Sequence, residues 1–309
     1  MAKVISSLRR RSLASWLFVF LCYLLAVVLF GTVVRATHSG AGCGNHWPLC
    51  KGEWIPDGSS LKTWIEYTHR VTSGLTLPIA LFLYLRARRI FSVYHPCRKA
   101  LIGVLLFLVS EALLGAGIVW LEHVADNRSS GRGFTMSLHL VNTFLLMACA
   151  VWSWLSAREW NGRTVEIRGM LPILGAMGIL FVGVSGAITA LGDTLFPPLS
   201  TGEVFSLAQD ATSHLFLRLR VYHPFFALCL TGYLVLLTWH IAEKDPTRTK
   251  LYINFGILLG VQILAGYFNI HLLAPLWMQV VHLGLAQCVW MSYVGIFLYR
   301  SCFFVEPTA

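Results

Sequence analysis

Hydrophobic residues in this chain fall into eight long runs, at about 14–34, 64–85, 100–120, 134–156, 170–191, 216–239, 251–270 and 275–299. Each reaches the roughly 20 apolar residues a helix needs to cross hydrocarbon at about 1.5 Å rise per residue. The pattern predicts an all-α integral membrane protein with eight transmembrane helices. The first run follows Arg9, Arg10 and Arg11, as a secretion signal would. It is longer than the roughly 7–15 apolar residues of an ordinary signal core, so it reads as a retained helix.

Polar residues inside these runs are scarce, and four of them are histidines. His69, His139, His223 and His282 lie one to two turns inside the second, fourth, sixth and eighth runs. Even-numbered spans all begin on one side of a membrane, which places the four imidazoles at one depth, one pair per half of the chain. A lone histidine on an apolar helix is usually a hydrogen-bonded structural residue. Four at matching positions point instead to ligands, because imidazole is a costly guest in hydrocarbon. Two metal or haem sites are the economical reading, His69 with His139 and His223 with His282.

The halves share a plan. Glu111-Ala-Leu-Leu-Gly115 precedes His139, and Gln262-Ile-Leu-Ala-Gly266 precedes His282. An acidic or amide residue followed at the fourth position by glycine thus recurs in the third run of each half. With four spans each, the halves insert in the same orientation, as parallel repeats do. The expectation is two four-helix bundles side by side, residues 1–157 and 158–309, joined by the inner loop Arg158–Gly169.

Only 12% of the 309 residues are charged and 56% are hydrophobic, against about 25% charged in a soluble domain. The net charge of +10 resides in alternate loops. One side holds Lys3, Arg9, Arg10, Arg11, Arg86, Arg88, Arg89, Arg98, Lys99, Arg158, Arg163, Arg168, Lys244, Arg248, Lys250 and Arg300; the other has Arg35, Lys51, Lys62, Arg128 and Arg132. That asymmetry is the positive-inside pattern, with both termini cytoplasmic. The charge sets orientation in the lipid bilayer and calls for no nucleic acid.

Most of the eight cysteines (Cys22, Cys149, Cys229, Cys288 and Cys302 in or beside the runs, Cys97 in an inner loop) read as small hydrophobes. Cys43 and Cys50 share the first outer loop, where oxidation persists. A disulfide between them is expected to remove about 2.5 kcal/mol of unfolded-chain entropy.

The densest motif runs Arg35-Ala-Thr37-His-Ser39-Gly40-Ala-Gly42-Cys43, then Trp47-Pro48-Leu49-Cys50, then Glu66-Tyr67-Thr68-His69-Arg70. In these residues, and more weakly across the whole chain, the sequence resembles the haem A synthase family of respiratory-chain assembly. The resemblance implies oxidation of the C8 methyl of haem O to a formyl group, through successive hydroxylations and loss of water. The N-terminal half would take the substrate haem and the C-terminal half would keep a haem b that relays electrons. It implies a multi-pass protein of the inner or plasma membrane, dealing with haem O synthase and terminal oxidase assembly factors. A homo-oligomer stays open.

Glu66 and His69 share a helix face. A carboxyl beside a ligand histidine in low dielectric favours its neutral form and suits general acid–base work; the plainer reading is a carboxylate at the positive end of a helix. Arg35, Arg70, Arg218 and Arg220 lie near the same outer boundary as candidates for bidentate bonds to haem propionates, or else snorkel to the headgroups. Trp47, Trp54, Trp64 and Trp277 fit an interfacial belt. The other histidines, His38, His46, His95, His123, His214, His240 and His271, lie in loops or at span ends and read as structural.

Two departures from family patterns stand out. The second outer loop, Gly192–His214, has no cysteine, so it forms no second disulfide. Pro224 follows His223 and is expected to bend the sixth helix just below its ligand. Two other functions fit the same residues: a di-haem cytochrome b that only moves electrons, and a non-catalytic haem carrier.

Overall fold

The computed structural model describes residues 2–57, 60–158, 169–210 and 212–298. Glu159, Arg163, Glu166 and Arg168 of the inner loop, and Arg300 and Cys302, lie outside the described residues. In chain order the helices are α1 (Ala2–Ala36), α2 (Leu61–Ile90), α3 (Pro96–Trp120), α4 (Ser130–Ala157), α5 (Leu171–Leu195), α6 (Thr201–Gln209), α7 (Leu215–Leu219), α8 (Tyr222–Lys244), α9 (Thr249–His271) and α10 (Leu276–Tyr293). Ser60, Ser129 and Ser200 start α2, α4 and α6 by accepting a backbone N–H of the first turn, satisfying donors no helix can pair internally.

Among the described residues seven helical stretches are long and apolar enough to cross a membrane, and no strand forms. The protein is an all-helical, multi-pass membrane protein. The run expected at 64–85 is a helix of 30 residues, α2, but it falls short on apolarity. Glu66, His69, Arg70, Thr63, Thr68, Thr72 and Thr76 crowd its first half.

The sixth run departs from expectation. It is broken at Arg220 and Val221 into α7 and α8, ahead of His223. Pro224 therefore sits in the first turn of α8, where its missing N–H would have had no helical partner. The proline opens a helix instead of bending one below its ligand.

α1 packs against α2 and α4, and α3 against α2 and α4; α8 packs against α5 and α9, and α9 against α10. Contacts of α1 with α10, and of α4 with α5 and α10, join these groups. The close-packed core lies toward the end that carries the inner loops. Leu13, Leu17, Leu83, Leu101, Met147, Leu234, Phe255, Trp290, Tyr293 and Phe297 are almost wholly buried there. Two hydrogen bonds lock the seam, Trp290 Nε1 to Phe144 O at 2.7 Å and Tyr293 Oη to Pro172 O at 2.6 Å.

Gly175 makes that seam tight, because a Cβ on it would overlap the Tyr293 hydroxyl. Gly175→Ala is expected to destabilise the protein by about 1–3 kcal/mol through overpacking. A lowered thermal midpoint of the purified protein in detergent checks this, and an unchanged midpoint would show the seam to be slack.

Candidate functional site

At the opposite end the packing changes character. Residues 25–31 of α1, 67–75 of α2, 134–141 of α4, 181–190 of α5, 222–230 of α8 and 279–286 of α10 include no fully buried position. Surface accounts for one face of each helix; the remainder means that the inward faces enclose a gap. All four histidines of the even-numbered runs stand in it.

Glycines on neighbouring helices make room for three of the rings. A Cβ on Gly31 would lie 3.4 Å from His69 Cε1, one on Gly186 2.9 Å from His223 Cε1, and one on Gly266 3.1 Å from His282 Cε1. The rings of His223 and His282 have centroids 6.4 Å apart and planes at 89°. Two metal–imidazole bonds of about 2.0–2.1 Å, each with its ring centre about 1.1 Å further on, call for about 6.3 Å. The C-terminal pair thus fits a shared iron. His69 and His139 are near enough to act on each other electrostatically. Nδ1 of His69, His139 and His282 is buried without a hydrogen-bond partner, a condition buried polar atoms rarely keep. The residues fit haem.

Behind the rings lie residues that sequence reasoning had not given a role. Ser185 Oγ is 2.9 Å from His223 Nδ1, and a bond there orients the ring and leaves Nε2 for a metal. Glu111 Oε1 stands 3.5 Å from His139 Nδ1. Gln262 Nε2 stands 3.4 Å from His282 Nε2. Phe30 meets His69 edge-on at 5.7 Å. The Glu/Gln-to-glycine repeat carried the signal for Glu111 and Gln262; Ser185, a small polar residue in an apolar run, carried almost none.

Glu66 and Arg70, taken separately from sequence, form one unit. Arg70 Nε and Nη2 both donate to Glu66 Oε1, the former at 3.1 Å, and the Cys43 N–H donates to Oε2 at 2.7 Å. Arg70 Nη1 reaches the carbonyls of His46 and Leu49. Cys43 and Cys50 are joined as a disulfide. The pair therefore staples the disulfide loop onto α2, helped by Thr63 Oγ1 donating to Gly42 O at 2.8 Å. A Cβ on Gly42 would run into the Lys62 carbonyl, so only glycine allows this approach.

The four arginines part company. Arg70 has its donors committed to Glu66 and the loop. Arg35 donates to Ala190 O, Thr194 Oγ1 and, at 2.7 Å, Gln279 Oε1, tying α1 to α5 and α10. Arg218 is exposed on α7. Arg220 is only 3% exposed, touches Asp193 at 3.5 Å through Nη1, and leaves Nε and Nη2 without a partner. Asp193, just past the fifth run, was legible only as a lone acid. Among the remaining histidines, His95 and His214 cap α3 and α7, and His214 also bonds Arg128 O at 2.9 Å. Both of its nitrogens are thereby used, which separates it from His223.

The model of the family described as Cytochrome oxidase assembly protein matches residues 14–60 and 57–294. Protoheme IX farnesyltransferase of Thermus thermophilus is 42% identical over 290 residues, covering 91% of this chain and 47% of that protein. Heme A synthase of Geobacillus thermodenitrificans is 39% identical over 98 residues, 31% of each chain. Heme A synthase of Halalkalibacterium halodurans is 41% identical over 96 residues, covering 31% of this chain and 32% of that one. The chain spans about half the length of the farnesyltransferase and matches about a third of each synthase. With the family model covering nearly the whole of it, the chain belongs to the haem A synthase family of cytochrome oxidase assembly proteins.

Proposed function

We propose that this protein is a haem A synthase. It oxidises the C8 methyl of haem O to a formyl group, with His69 and His139 receiving the substrate and His223 and His282 holding a resident haem b. The observation that carries the reading is the histidine-lined gap. Two pairs of imidazoles line it, and the rings of His223 and His282 stand 6.4 Å apart, the spacing a shared iron requires.

The resident haem supplies one-electron exchange when bound. The protein's own groups do the rest. Ser185 fixes the His223 ring, and the open Nε–Nη2 edge of Arg220 suits a propionate, which takes a guanidinium side-on and bidentate. Glu66, one turn from His69, serves as the proton-handling group, and its contact with the Cys43 amide couples it to the loop that keeps water from the gap. α2 is the eighth crossing, with its polar residues turned toward the site. The two four-helix halves, residues 1–157 and 158–309, are parallel repeats with cytoplasmic termini in the plasma membrane.

The farnesyltransferase name of the Thermus relatives belongs to proteins of which this chain covers only 47%. The matched segment is read as acting on farnesylated haem, with haem O synthase as supplier and terminal oxidase assembly factors as recipients.

Pigment extracted from cells that make haem O and express this chain is expected to contain haem A. Unconverted haem O would favour the reading as a di-haem cytochrome b or a carrier. His69→Ala or His139→Ala is expected to bring haem A to background while a reduced haem b band persists. His223→Ala or His282→Ala should deplete that band instead, and an unaltered reduced spectrum would remove them as ligands. Glu66→Gln is expected to lose product with haem still bound; full activity would leave Glu66 as a loop anchor alone.

A further inference from the structure

The two histidine pairs differ in what stands behind their second member. On α3 Glu111 lies four residues before Gly115, and on α9 Gln262 lies four residues before Gly266. Each faces the second histidine of its half, but at different nitrogens: Glu111 Oε1 stands 3.5 Å from His139 Nδ1, and Gln262 Nε2 stands 3.4 Å from His282 Nε2. One position of the repeat thus presents a carboxylate and the other a neutral amide.

Glu111 is held in place. Asn142 Nδ2 donates to Oε2 and Thr143 Oγ1 donates to Oε1. Asn142 is fixed in turn by donating to Phe107 O at 2.9 Å and accepting from Ser110 Oγ at 2.6 Å. These bonds tie α3 to α4 and aim Oε1 at the helix that carries His139. The His139 Nδ1 opposite has no hydrogen bond of its own. A movement of a few tenths of an ångström closes 3.5 Å to an ordinary N–H···O distance. An acid among apolar helices is retained where it has work to do, and joining two helices needs no charge.

We propose that Glu111 is a positioning residue that polarises His139, so that the substrate haem is gripped by a more basic imidazole than the resident haem. The proposal rests on His139 being an iron ligand. A carboxylate accepting the far N–H of a ligand histidine fixes its tautomer and raises its donor strength. Hydrogen bonding behind an axial ligand is one of the means by which a protein sets the potential of a haem. A stronger donor favours oxidised iron and lowers the potential. Gln262 meets its histidine at Nε2 and leaves His282 Nδ1 without an acceptor, so the resident haem keeps the higher potential of the two.

The test is potentiometric titration of the full-length protein in detergent, loaded with haem O, the two components assigned through His69→Ala and His223→Ala. Glu111→Gln is expected to raise the midpoint of the N-terminal haem, leave the C-terminal one in place, and lower haem A formation by about tenfold or more. A haem-loaded Glu111→Gln protein with both midpoints at their original values would overturn the proposal. Should Glu111→Gln fail to fold, Glu111→Asp, which withdraws the carboxylate from His139 Nδ1, decides instead, an unmoved N-terminal midpoint being the negative result. Loss of no haem component in His139→Ala would overturn this proposal together with the ligand reading. A silent Glu111→Gln beside a responsive His139→Ala removes only the role of Glu111.

Discussion

Among apolar helices a polar nitrogen has no water to turn to, and that constraint orders the outer half of this bundle. Most polar groups there have met it within the protein. Arg35 is spent on α5 and α10, Arg70 on Glu66 and two loop carbonyls, and Glu111 on Asn142 and Thr143. Against that background the orphaned nitrogens of His69, His139 and His282 stand out. Nε and Nη2 of Arg220 and Oε1 of Gln262 share that condition. Three of the four rings are also given space by a glycine on the facing helix, an arrangement that packing alone would not favour.

The division between a tight end and an open end follows from the same constraint. A bundle with a gap must obtain its stability elsewhere, and here the inner-loop end supplies it. Trp290, Tyr293, Phe255 and Phe297 fill the seam between the helices, and two hydrogen bonds across it fix α10 against α4 and α5. Cavities in a core are costly, so concentrating the apolar packing at one end lets the other remain open to a large planar ligand.

Much of this was legible in sequence because a membrane permits so few solutions. The helices followed from apolar runs, and the loop disulfide from two cysteines in one outer loop. What escaped detection did so for physical reasons. α2 reads as weakly apolar because Glu66, His69 and Arg70, which turn inward, take positions that apolar residues would otherwise fill. Pro224 was read as a bend because its place within a helix, first turn or middle, decides its effect, and the break at Arg220 and Val221 is a tertiary feature. The pairing of Glu66 with Arg70 is a matter of distance that spacing four apart permits and does not dictate. Asp193 gains meaning only from Arg220, 27 residues away.

The two rims show how one plan is carried out by different chemistry. Over the N-terminal pair the loop is closed covalently by Cys43–Cys50 and stapled by Arg70, which spends four of its five donors on Glu66 and the loop. Over the C-terminal pair there is no cysteine, and the chain between α5 and α8 is ordered by two short helices. Ser200 caps the first and His214 the second, and His214 also reaches Arg128 in the other half. Because noncovalent caps hold this rim, Arg220 is not needed as a staple. Its buried guanidinium, steadied at one corner by Asp193, keeps Nε and Nη2 unpaired. An arginine near the rim of the proposed haem site is therefore not by position alone a propionate partner. What distinguishes Arg220 from Arg70 is the unspent pair of donors, and the missing second disulfide is matched by an alternative scaffold that frees them.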